Sequence, residues 1–200
     1  MEITVRHEFR EAARWLNGIQ RKQLPFATSL ALNKTAGRVR DGLMTAMLRE
    51  IDRPTDFTLN AFKIKNSNKR NLTAWIFAKP IQEKYLSLLV YGGTDGKKHI
   101  VPGVKAKLNA HGNLPRNKSR GSTNKKKFFK GTPKGGGPSG LYQRMPANPN
   151  SKKIRLIGHF PKSRTYRKLF RYERSVNTSF DRWFSYEWNK AFDRAMLTAR

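Results

Sequence analysis

The distribution of charge along this chain limits where its core can form. Lys and Arg total 42 against 13 Asp and Glu, a formal net charge of +29 over 200 residues. The excess is concentrated. Residues 95–174 hold 22 cations and 2 acids, residues 1–94 hold 16 and 8, and residues 175–200 hold 4 and 3. Two near-neutral, apolar-patterned regions therefore flank a cationic one. An excess of this size implies a working partner with dense negative charge, or an acidic assembly that offsets it. Aromatic residues make up 11% of the chain, too many for a disordered basic tail, so part of it folds. The length fits one domain over residues 1–200.

In the first flank, Phe9, Ala12, Ala13, Leu16 and Ile19 recur every three to four residues, which predicts a short helix over 8–23. A break is expected at Leu24-Pro25, with Pro25 in the first turn of a second helix. Leu32, Ala36, Val39, Leu43, Met47 and Ile51 extend that helix over 25–51, and Arg53-Pro54 ends it. Period-2 alternation from Phe57 to Lys65, turn residues at 66–70 and an apolar run from Leu72 to Ala78 predict a β-hairpin over 57–78. Residues 81–91 fit a short helix or a strand, and Glu83, Tyr85 and the Gly92-Gly93 stop favour the helix, with a glycine cap at its end.

Residues 94–140 are rich in Gly, Lys, Asn and Pro and are expected to form a flexible basic loop, strand-like only at His99–Val101 and Phe128-Phe129. Strands are expected over 141–145 and 154–160, joined by a Pro/Asn-rich connector. A last helix is expected from Ser179, with Thr178 and Asp181 as a capping pair. Its stripe is Phe180, Phe184, Trp188, Ala191 and Ala195, thickened by Trp183 and Phe192. These aromatics, with Trp15, Trp75 and Phe77, read as core. The fold class is α+β, with one small antiparallel sheet packed against the N- and C-terminal helices.

The chemistry of catalysis is poorly represented. With no cysteine, a disulfide framework, a thiolate zinc site and a Cys nucleophile are excluded together. His7, His99, His111 and His159 are dispersed and show no carboxylate pairing or metal-ligand spacing. Asp95 and Lys97, with Asp56 upstream, are the best components for a metal nuclease, but such a tripeptide is common in Lys-rich turns. The Gly92–Lys97 stretch has neither the spacing of a phosphate loop nor its Ser or Thr. No Gly-x-Ser-x-Gly occurs. The expectation is a protein that is not an enzyme and needs no cofactor or metal. The chain has no apolar run of membrane-spanning length and no apolar signal core at its start, so it reads as soluble, with no membrane partner.

What remains is the cationic strip. Arg116, Lys118, Arg120, Lys125, Lys126, Lys127, Lys130 and Lys134 lie in a Gly/Asn/Ser context around Phe128 and Phe129. They are the candidate contacts with DNA or an acidic partner. Such a strip neutralises phosphates but carries no element for reading bases, so its binding is expected to ignore sequence.

The order of elements resembles the tail-completion and neck proteins of tailed bacteriophages, in particular the minor tail protein Z group of lambda-like phages. The resemblance is carried by Pro25–Ala36 (PFATSLALNKTA) and by Tyr85–Thr94 with its Gly-Gly-Thr turn. It continues through Phe128–Gly131, Gly140–Arg144 and Ile154–Leu156. The long loop and the aromatic last helix depart from the family's pattern. The resemblance implies a non-enzymatic virion protein, assembled in the host cytoplasm into a homo-oligomeric ring at the head–tail junction or tail top. Its partners would be other neck, tail or connector proteins, with non-specific contact to DNA in the channel. A sequence-independent nucleic-acid-binding protein of ribosomal or nucleoid type is the alternative.

Overall fold

Small side chains decide how the two longest helices meet. The computed structural model describes residues 17–96, 99–115, 127–145 and 153–198. Helix α1 spans Leu24–Glu50, and the last helix, α4, spans Tyr172–Leu197. Ala27 and Ala31 of α1 pack on Ala191 and Ala195 of α4, with Phe26, Leu30, Trp188 and Phe192 around them. Further along, a Cβ placed on Gly42 would collide with Ser179 Oγ and lie 3.2 Å from Ser179 Cβ. Glu50 meets Arg171 at the far end, so the helices run antiparallel at close approach. Ala36, Val39, Leu43 and Met47 of the expected stripe are buried, whereas Leu32 is half-buried and Ile51 falls beyond the end of α1. Each large apolar side chain buried in this way contributes about 1.5–3 kcal/mol.

The expected break at Pro25 is absent. A π-helical turn over Ile19–Gln23 leads straight into α1, and Leu24 N–H donates to the Ile19 carbonyl, one residue further back than an α-helical bond. Widening the turn relieves the clash that a proline ring makes with the carbonyl four residues before it. Residues 1–16, including most of the expected first helix, lie outside the described residues.

The start of the expected hairpin also differs. Phe57 and Leu59 belong to a short helix, α2, over Asp56–Leu59, and β1 begins only at Phe62. Asn60 N–H donates to the Asp56 carbonyl, and Gln82 Nε2 to the Phe57 carbonyl, so the turn is fixed from outside its own sequence. Strand β1 (Phe62–Lys65) pairs antiparallel with β2 (Trp75–Ala78), Phe62 opposite Ala78 and Lys65 opposite Trp75. Asn68 Oδ1 accepts from the N–H groups of Arg70 and Asn71 in the connecting loop. Ser67 ties that loop to α1, its N–H donating to Asn33 Oδ1 at 2.7 Å and its hydroxyl to the Ser29 carbonyl.

Helix α3 spans Pro80–Tyr91 and ends, as expected, on glycine: Gly92 has φ 75, and its N–H donates to the Leu88 carbonyl. The described residues of 94–140 include short strands, two of them at or beside the expected strand-like stretches at 99–101 and 128–129. Strands β3 (Gly93–Asp95), β4 (Val101–Pro102) and β5 (Phe128–Gly131) all fall in or against 94–140. Strands β6 (Gly140–Arg144) and β7 (Ile154–His159) pair as expected, in a four-stranded antiparallel sheet of order β4-β7-β6-β5. Its core is Leu114, Leu141 and Ile157, joined by Ile100, Ala106 and Phe128. Strand β8 (Arg164–Tyr166) pairs with β3.

The chain is α+β. The hairpin and the β6–β7 strands, expected in one sheet, belong to separate sheets. The chain divides into two compact units. Of the described residues, one unit holds those up to Glu50, Asp56–Tyr85 and those from Phe170 onward; the other holds Ile51–Thr55 and those within Leu86–Leu169. Helix α4 begins at Tyr172, seven residues before the expected Ser179. Tyr172 stacks on Phe62 at 5.7 Å, and Phe170 beside it is buried. That docking extends the helix, so Thr178 and Asp181 fall inside it rather than at its cap.

Candidate functional site

Of the eight expected contact cations, Arg116, Lys118, Arg120, Lys125 and Lys126 lie outside the described residues. Lys127, Lys130 and Lys134 are exposed, at the start of β5, within it and in the turn that follows. The two phenylalanines among them are structural. Phe128 joins the sheet core, and Phe129 stacks on Tyr142 at 5.5 Å with the Arg144 guanidinium 4.7 Å from its ring centre.

The β1–β2 hairpin carries a surface that the sequence did not single out. Alternation sends Phe62 and Ile64 inward and Lys63 and Lys65 outward. The register sets Phe77 opposite Lys63 and Trp75 opposite Lys65. Trp75 is 57% exposed and Phe77 45%, against the expectation that both are core. At the foot of the hairpin, a shallow cavity of about 520 Å³ is lined by exposed Phe57 and Ile81 with Lys63, Lys79 and Pro80. A strand of alternating apolar residues announces two faces but not which one is covered. The alternating lysines of β1 were the available signal.

A second surface lies along the α1–α4 seam, where α-helical spacing collects cations far apart in sequence. One cavity, of about 410 Å³, is lined by Lys34, Arg38, Asp41, Glu187, Lys190 and Arg194 among others. A second, of about 570 Å³, has Arg49, Arg171, Arg174 and Arg182 together with Glu50 and the hydroxyl residues Thr45, Ser175, Thr178 and Ser179. Trp183 joins them. The Arg38 guanidinium lies 4.5 Å from its ring centre and that of Arg182 5.3 Å. Cation–π contacts of this kind contribute about 0.5–1 kcal/mol at exposed sites.

The acids of the seam are already engaged. Arg38 Nε donates to Glu187 Oε1 at 3.1 Å, and the Glu187 side chain is 7% exposed. Glu50 accepts from Arg49 Nη2 at 3.1 Å and from the Arg171 N–H at 2.9 Å. Burial pushes the Glu50 carboxyl up, but the Arg171 N–H, the Arg49 side chain and the two guanidinium charges outweigh it and hold the carboxyl below its ordinary value. Asp41 pairs with Arg40. Lys34, Arg174, Arg182, Lys190 and Arg194 have no carboxylate within ion-pair distance among the described residues.

The remaining sequence candidates resolve differently. Asp95 lies 2.8 Å from His99 Nε2, so this histidine has a carboxylate partner, against expectation. Asp56 heads α2, and Lys97 is outside the described residues. Among the described residues no group of three or more His, Asp or Glu could hold a metal ion, and no helix is long and apolar enough to cross a membrane. No known protein family, curated protein or solved structure matches this chain.

Proposed function

We propose that this protein is a non-enzymatic structural component of a phage virion, one copy of a ring at the head–tail junction or tail top around the DNA channel. The observation that carries the proposal is the outward face of the hairpin. A chain of net charge +29 is well solvated, yet it leaves Trp75 and Phe77 uncovered on a two-stranded ladder, with Phe57 and Ile81 below. Large exposed aromatics of this kind mark contact surfaces. The flanking Lys63 and Lys65 suit a neighbour with acidic rim residues. Nucleic-acid binding of a nucleoid type is the second reading, favoured by the row of cations along the α1–α4 seam.

The test is incorporation. A Trp75→Ser/Phe77→Ser variant keeps its fold, because both side chains are exposed, and is expected to be lost from gradient-purified particles. Normal incorporation would remove the hairpin face from the assembly contact.

A further inference from the structure

Cations line two cavities along the seam between α1 and α4. From Arg174 to Arg194 the lining residues of α4 span 20 helical steps, about 30 Å at 1.5 Å per residue. Trp183 lines the second cavity, and its ring takes the guanidinium of Arg38 from the first as well as that of Arg182. Three acids line the seam, and each is committed to a neighbouring arginine: Asp41 to Arg40, Glu187 to Arg38, and Glu50 to Arg49 and Arg171. Five cations, Lys34, Arg174, Arg182, Lys190 and Arg194, are left over among the described residues.

We propose that this seam is a binding groove for the phosphodiester backbone of nucleic acid. Cations spread over about 30 Å of helix axis exceed the reach of any single phosphate group and suit a polymer with a charge at every step. Guanidinium forks bind phosphate oxygens bidentately, and the hydroxyls of Thr178 and Ser179 beside them are further donors of the kind that hold a backbone in register. The groove offers no element that reads base edges, so it binds without regard to sequence. It is also rigid. Its walls are two packed helices, one held to the other through Ala27, Ala31, Ala191 and Ala195. The proposal rests on the reading that the protein works against nucleic acid, and it assigns that contact to the helix pair as well as to the basic loop.

The experiment is binding of the full-length protein to a fluorescein-labelled, mixed-sequence DNA duplex across a salt series, read by anisotropy and by tryptophan fluorescence. The variant is Arg174→Gln/Arg182→Gln/Lys190→Gln, three exposed cations without a carboxylate partner. The log–log salt slope is expected to become shallower by about 2.7, roughly 0.9 for each cation lost. DNA should also perturb the fluorescence of the wild type, and Trp183→Phe should remove that response. If circular dichroism shows the triple variant unfolded, Arg174→Gln alone serves, with an expected change of about 0.9. An unchanged slope, with all the loss in a Lys125→Gln/Lys126→Gln/Lys127→Gln loop variant, overturns the groove. So does equally tight binding of poly-glutamate, which would make the partner an acidic protein. Absence of wild-type DNA binding also overturns it, and leaves the ring reading to be judged by particle incorporation.

Discussion

Replacing Gly42 with alanine sets two effects of known sign against each other. Gly42 lies within α1, where alanine is favoured over glycine by about 1 kcal/mol through helix propensity alone. Opposing that gain, the new Cβ would run into Ser179 Oγ and sit 3.2 Å from Ser179 Cβ. The hydroxyl can rotate away but the Cβ cannot, so the helices must separate by a few tenths of an ångström. Overpacking of this type costs about 1–3 kcal/mol. The expected net effect is a destabilisation of up to about 2 kcal/mol, after the propensity gain is set against it. In a Ser179→Gly background the obstacle is gone, and the same Gly42→Ala change should stabilise by about 1 kcal/mol. Urea denaturation of the four proteins closes a double-mutant cycle with a coupling of about 1–3 kcal/mol. Stabilisation by Gly42→Ala in the wild-type background, or a coupling near zero, would refute the close antiparallel pairing of α1 and α4.

Two further outcomes follow from single groups. Glu50 has its carboxyl held below the ordinary value in the folded protein, so its contribution to stability is present above the unfolded value of about 4.3 and is lost as pH falls through the folded one. Glu50→Gln should therefore lower the denaturation midpoint at neutral pH and converge with the wild type in acid, whereas a constant gap between the two would contradict the assignment. Thr35 Oγ1 is buried without a hydrogen-bond partner among the described residues. Thr35→Val removes the hydroxyl at nearly constant shape and is expected to stabilise by about 1 kcal/mol in the same assay, and a loss of stability would show that the hydroxyl is satisfied.

Local periodicity made α1 legible, its apolar residues recurring at helical spacing. The end of α3 was legible from Gly92, which closes it through a conformation that glycine adopts freely, and the β6–β7 pair from its apolar runs on either side of a turn-rich connector. What was not legible depended on partners distant in sequence. The Asp56–Leu59 turn alternates like a strand, but Gln82 holds its backbone. The first two turns of α4 have no capping signal, yet Tyr172 docks on Phe62. The stripe of aromatics predicted on α4 is partly outside: Phe180 is 40% exposed, while buried Glu187 takes an inward position beside Ala191. A carboxylate can occupy that place because Arg38 comes from the other helix, which no pattern within α4 announces.

The same distinction separates the two candidate surfaces from the basic loop. Eight cations close together in sequence were visible by composition. The row along the α1–α4 seam draws its cations from residues 34–49 and 171–194, and only an antiparallel helix pair brings them together. Trp75 and Phe77 are exposed although burial is the usual fate of aromatics in an apolar run, because their face is set by the register with Lys63 and Lys65, which lies outside their own strand.

The most direct measurement is the copy number of this protein in purified virus particles from its native source, by quantitative mass spectrometry. The account predicts a small fixed number per particle, consistent with a closed ring. Absence from particles, with the protein recovered on cellular nucleic acid instead, would contradict it.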